Sequence, residues 1–176
     1  MRLITYLKKR WLEQKNHVRT NEREVVPFST TKNVGILISG SKSATPVDSM
    51  VKILEEWSQK NGITYRALVY TPTKKLPEAI TPSAKVDYFC KKHLNFIGIP
   101  DYATFSRYSK TPFDVLFNAY LHPVEPLQIM SLYSHARYRI GCLEKDQYGS
   151  LDVQVSASPK SEKELLETLI KQVEKF

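Results

Sequence analysis

The chain has 176 residues, 41% of them apolar, with 26 Lys+Arg against 18 Asp+Glu and a formal net charge of +8. At this length one domain is expected, which excludes a two-lobed enzyme with a cleft between full-sized domains. The apolar share excludes a disordered chain, six Gly and ten Pro exclude collagen-like and linker-dominated classes, and no apolar run is long enough to span a membrane.

The first predicted element is a helix over residues 3–18. Leu3, Ile4, Leu7, Trp11, Leu12 and Val18 recur at three- and four-residue spacing and gather on one side, with Lys8, Lys9 and Arg10 mostly elsewhere. Residues 1–23 carry seven Lys/Arg against two Glu. Residues 21–32, with Pro27 and Ser29-Thr30-Thr31, have no period and are expected to form a linker.

Val34-Gly35-Ile36-Leu37-Ile38 is then a near-continuous apolar run that enters Ser39-Gly40-Ser41, the pattern of a buried parallel strand reaching a turn. Pro46–Asn61 follows as a helix with Val47, Met50, Val51, Leu54 and Trp57 on one face and Gly62 as its stop. Tyr65–Tyr70 is a second strand, which completes a βαβ unit. Three prolines make 71–84 a loop, and Val86–Cys90 is a third strand. Phe96–Pro100 reads either as a second short strand or as the continuation of an interrupted one.

Phe113–Ala119 is expected as another buried strand, Val124–His135 as a helix and Arg137–Cys142 as a strand in an outer position. Leu151–Ser156 alternates like an edge strand with one wet face. Ser161-Glu162-Lys163-Glu164 has the form of a capping box opening a last helix lined by Leu165, Leu166, Leu169, Ile170 and Val173. Strands alternating with helices predict a three-layer α/β domain over 33–176. Its mostly parallel sheet carries helices on both faces, Rossmann-like and doubly wound, and the basic amphipathic helix within residues 1–20 precedes it.

Only Cys90 and Cys142 are present, too few for a disulfide-stapled secreted domain, and both are expected as buried free thiols. Lys8-Lys9-Arg10 interrupts any signal-peptide core, so a cytoplasmic location is expected.

Candidate chemistry is sparse. In open α/β sheets, ligands bind beyond the carboxyl ends of the strands, and small residues before a helix let an anion approach backbone N–H groups. Ser39, Gly40, Ser41 and Lys42 occupy such a turn, although neither a GxxxxGK[ST] nor a GxGxxG pattern is present. Asp114 and Asn118 share a face if both lie in one strand, and Asn118 near its end joins the same anion site, with His122 just beyond. An Asn there equally serves the backbone of a neighbouring loop.

His17, His93, His122 and His135 are scattered, so no metal or cofactor is expected. Cys90 and His93 point to opposite faces if the strand runs on. Residues 1–143 hold 21 Lys/Arg against 11 Asp/Glu, while 144–176 hold five against seven. Lys74-Lys75, Lys91-Lys92-His93 and Arg137-Tyr138-Arg139 interleave cations with aromatics, as nucleic-acid surfaces do.

Phe113-Asp114-Val115-Leu116-Phe117-Asn118, Ala136-Arg137-Tyr138-Arg139-Ile140-Gly141 and the Lys91–Gly98 segment resemble a small conserved family of Bacteroidetes proteins with no assigned function. That likeness runs over nearly the whole chain and carries no activity with it. The Asp before an apolar strand, the short helix and the Arg-Ile-Gly are also similar to about 30 residues of the N-terminal half of heptosyltransferases. Their nucleotide-binding second lobe has no room here.

The expected function is therefore that of a binding or interaction module using a basic surface that includes Lys8, Lys9, Arg10, Lys91 and Lys92. Its partner is a protein or nucleic acid, with peripheral membrane contact through helix 3–18 as a further expectation. The alternatives are a small transferase or hydrolase acting on a phosphorylated substrate, and an RNA- or ribosome-associated protein.

Overall fold

A six-stranded, wholly parallel sheet forms the middle layer of the computed structural model, which describes residues 23–40, 45–77, 80, 83–143, 146 and 148–176. The strands are β1 (Asn33–Ser39), β2 (Thr64–Thr71), β3 (Val86–Cys90), β4 (Val115–Ala119), β5 (Tyr138–Gly141) and β6 (Val153–Gln154). Their spatial order is β3-β2-β1-β4-β5-β6. The helices are α1 (Thr45–Asn61), α2 (Tyr102–Ser109), α3 (Glu125–Tyr133) and α4 (Glu162–Val173).

The run Val34–Ile38 is wholly buried because β1 is central. It pairs with β2 from Asn33↔Thr64 to Ser39↔Tyr70 and with β4 from Val34↔Val115 to Ile38↔Ala119. Alternation then divides its side chains between two cores. Ile36 and Ile38 join Met50, Leu54 and Trp57 of α1 and Leu165, Leu166, Leu169 and Val173 of α4 on one face. Leu37, Leu68 and Leu116 meet Tyr108 of α2 and Leu127 and Met130 of α3 on the other. This is the expected three-layer, doubly wound α/β architecture.

Helix α4 is tied to α1. Trp57 Nε1 donates to Glu174 Oε1 at 3.0 Å, just past the end of α4. At the start of α4, Ser161 Oγ accepts from Glu164 N at 3.2 Å, while the Glu164 carboxylate takes the N–H of Lys160.

Several elements depart from the sequence reading. Helix α2 lies where no helix is expected, because Tyr102-Ala-Thr-Phe-Ser-Arg-Tyr-Ser109 is rich in weak helix formers. Strand β3 ends at Cys90 and is followed by a 3₁₀ turn (Lys91–His93), so 96–100 is neither a second strand nor a continuation of the first. Strand β5 is not outermost, since β6 pairs beyond it through Ile140↔Val153 and Gly141↔Gln154. Residues 23–30 lie against the domain rather than hanging free. Glu24 N donates to Arg137 O, Val26 is buried, and the Phe28 ring stacks on Trp57 at 6.1 Å.

Two carboxylates secure the amino end of the sheet. Asp114 accepts from the backbone N–H groups of Lys32 (2.8 Å) and Asn33 (2.9 Å), which locks β4 against β1. Asp152 takes Arg139 in a two-pronged ion pair (2.9 and 2.8 Å), and Arg23 adds a contact at 3.3 Å. Asp114 is thus a structural clamp at the end of the sheet opposite the carboxyl rim.

Candidate functional site

The strand order reverses between β1 and β4, whose carboxyl ends and trailing loops therefore stand side by side. In sheets of this kind that reversal opens the crevice where ligands sit. Ser39 ends β1 there, and Gly40 follows with its N–H donated to Tyr70 O at 2.8 Å. A Cβ on Gly40 would stand 2.9 Å from Val69 Cγ1 and 3.0 Å from Thr71 Cγ2, so only glycine lets the chain pass this close to β2. Ser41 and Lys42 lie outside the described residues, as do Lys8, Lys9, Arg10 and the whole of the helix expected over 3–18.

Asn118, expected beside them at the rim, is wholly enclosed in β4. Its Nδ2 donates to Ile140 O at 3.4 Å, and its Oδ1 accepts the Tyr120 hydroxyl at 2.9 Å. Burial, reinforced by the charge of Asp146, pushes the Tyr120 phenol far above its usual value, so it stays an un-ionised donor. The Asn118 amide is thereby committed to the sheet and turned away from solvent.

Beyond β4 the rim opens into a cleft of about 380 Å³ lined by Leu121, His122, Pro123, Cys142, Ala157, Ser158 and Pro159. His122 is exposed. Cys142, expected as buried, is partly exposed, and its thiol donates to Ala157 O at 3.1 Å. The two cysteines are free. Among the described residues no group of three or more His, Cys, Asp or Glu side chains is placed to hold a metal ion.

The other half of the rim is basic. Lys74 and Lys75 follow the end of β2, Lys91 and Lys92 follow the end of β3, and all four are exposed. The two loops are joined: Lys91 N donates to Thr73 O at 3.0 Å, and the Cys90 thiol donates to Lys74 O at 3.6 Å. None of the ion pairs among the described residues uses these lysines.

The 3₁₀ turn that carries Lys91 and Lys92 folds His93 back onto Cys90, against the expectation that the two point apart. Cys90 N donates to His93 Nδ1 at 3.1 Å, and Cys90 Sγ lies 3.5 Å from the same nitrogen. With Nδ1 accepting, the neutral ring carries its proton on Nε2. A thiolate–imidazolium pair would require Nδ1 to donate to sulfur, which would strip the Cys90 N–H of its acceptor. The two side chains cap the turn and fix its lysines.

Past His93 the chain makes a tight turn that the sequence reading missed. Asn95 Oδ1 accepts from Ile97 N (3.1 Å) and Ile99 N (3.0 Å), while Asn95 N donates to Ile99 O at 2.8 Å. Gly98 at φ +79° closes it, a conformation open to glycine and strained for other residues. Phe96 is held at the tip, 85% exposed. The Asn-x-x-Gly spacing was the available signal, masked by the apolar residues around it.

The class defined by fold and rim is a doubly wound, Rossmann-like α/β domain with a basic carboxyl edge. The family of unknown function DUF6913 matches residues 5–176, and the chain belongs to that family. No curated protein and no solved structure matches it.

Proposed function

We propose that the chain is a binding module that engages a polyanionic partner through the basic half of its carboxyl rim. One observation carries this reading: two exposed lysine pairs stand on the ends of adjacent parallel strands, in loops that hydrogen bonds hold together. Lysines so placed present several point charges on a fixed frame, and multivalent phosphate attraction needs little else. Lys42, Lys8, Lys9 and Arg10, which lie outside the described residues, add to the positive charge that this reading draws on.

The test is binding of the full chain to inorganic polyphosphate across a salt series. Affinity is expected to fall steeply with salt, and replacing Lys74, Lys75, Lys91 and Lys92 together by Ala is expected to weaken it about tenfold or more. Equal binding by that variant, or no binding by the wild type at low salt, would overturn the reading.

The cleft at β4 and β5 favours a second reading, in which a small phosphorylated substrate is handled by a transferase or hydrolase. His122 and Cys142 are the ionisable groups lining it. A phosphorylated ligand seated there should slow alkylation of Cys142 by iodoacetamide. Unchanged alkylation across a panel of sugar phosphates and nucleotides would count against it.

A further inference from the structure

We infer that Phe96 is a stacking platform for a base and that the polyanion taken by the rim is a single-stranded nucleic acid; this rests on the rim reading above. The ring is 85% exposed, and the turn beneath it is held by four hydrogen bonds, so presenting it to a partner costs little ordering. Lys91 and Lys92 lead into that turn, and His93 O accepts the N–H of Asp101 as the chain returns. Cationic side chains that follow a backbone, with an aromatic ring for the unstacked base, are the two parts that single-strand recognition uses.

Other occupants fit the surface less well. An interfacial membrane contact buries a broad apolar face. Here Ile97, beside Phe96, is half-buried and turned into a small core with Ile99, Ile129, Leu132 and Tyr133, which leaves this turn one ring to insert. The centres of protein–protein interfaces are depleted in lysine, whereas the turn that bears this ring follows directly on the exposed Lys91 and Lys92. A duplex keeps its bases stacked and offers none to the ring.

The experiment measures binding of the full chain to a short fluorescent oligouridylate, to a duplex of equal length and to inorganic polyphosphate. Wild type should prefer the single strand to the duplex. Phe96→Ala should weaken the single strand about tenfold or more and leave polyphosphate unchanged, whereas Phe96→Trp should retain it. Phe96 is exposed, so both variants are expected to fold, which circular dichroism checks. Lys91→Ala with Lys92→Ala should weaken all three ligands.

If Phe96→Ala binds the single strand as wild type does while the lysine variant loses every ligand, the stacking proposal fails and the rim reading stands. If no polyanion binds, both fail. Phe96-dependent binding to mixed phosphatidylcholine–phosphatidylserine vesicles, tighter than to the oligonucleotide, would overturn the proposal in favour of a membrane surface.

Discussion

Arg139 is a nearly buried cation on a strand whose neighbours Tyr138 and Ile140 are apolar, and Asp152 is what lets it stay there. Burial alone would raise the Asp152 carboxyl, but hydrogen bonds and charge from Arg139, with the charge of Arg23, outweigh it and hold the group below its ordinary value. Removing one partner of such a pair strands the other charge. Asp152→Ala is expected to cost about 2–4 kcal/mol in urea unfolding, at the low end if Arg23 and water screen the site.

The pH dependence has a definite sign. A carboxyl depressed in the folded state contributes its full stabilisation above the unfolded value of about 3.9, and loses it as pH falls through the lower folded value. Wild type should therefore lose stability on acidification below about pH 4 more steeply than Asp152→Asn, read from unfolding midpoints. Parallel curves would show that the pair does not govern acid sensitivity.

At the scale of elements, β1 depends on an absent side chain. A Cβ on Gly35 would stand 2.7 Å from Phe113 Cδ2 and 2.8 Å from Leu116 Cδ1, so the Phe113 ring packs directly on the strand. Gly35→Ala forces that ring and β4 outward and is expected to cost about 1–3 kcal/mol. Ser161→Ala, which removes one cap bond from α4, is expected to cost about 1 kcal/mol. Thermal unfolding of the two variants side by side ranks them, and a Gly35→Ala protein as stable as wild type would mean that the strand pair has slack.

Elements whose pattern is set by burial were legible in the sequence. Buried on both faces, β1 and β4 read as apolar runs, and they pair side by side in the centre of the sheet. Local chemistry that depends on a turn was not legible. A strand period sends Cys90 and His93 apart, and only the 3₁₀ geometry after β3 reverses this. Asn118 shows the complementary limit: its place near the end of a strand was readable, but the Tyr120 hydroxyl that occupies its carbonyl comes from the loop beyond. Arg139 and Asp152 are 13 residues apart and meet only because β6 lies beside β5.

Over the whole molecule, stability should be graded across the sheet. Strand β1 has a partner along both edges, whereas β6 is two residues long and pairs on one side only among the described residues. Native-state hydrogen exchange is expected to release the β1 and β4 amides only on global unfolding and those of Val153 and Gln154 much earlier. Uniform protection across the sheet would contradict that gradient.

The position of α4 also bears on how the protein is made. It comes after all six strands in sequence, yet it covers the centre of one sheet face with Leu165, Leu166, Leu169, Ile170 and Val173 and is fastened to Trp57 by Glu174. Until α4 has emerged from the ribosome, Ile36, Ile38 and Phe117 lack that cover. The interval between release of the strands and docking of α4 is thus when chaperones have most to shield.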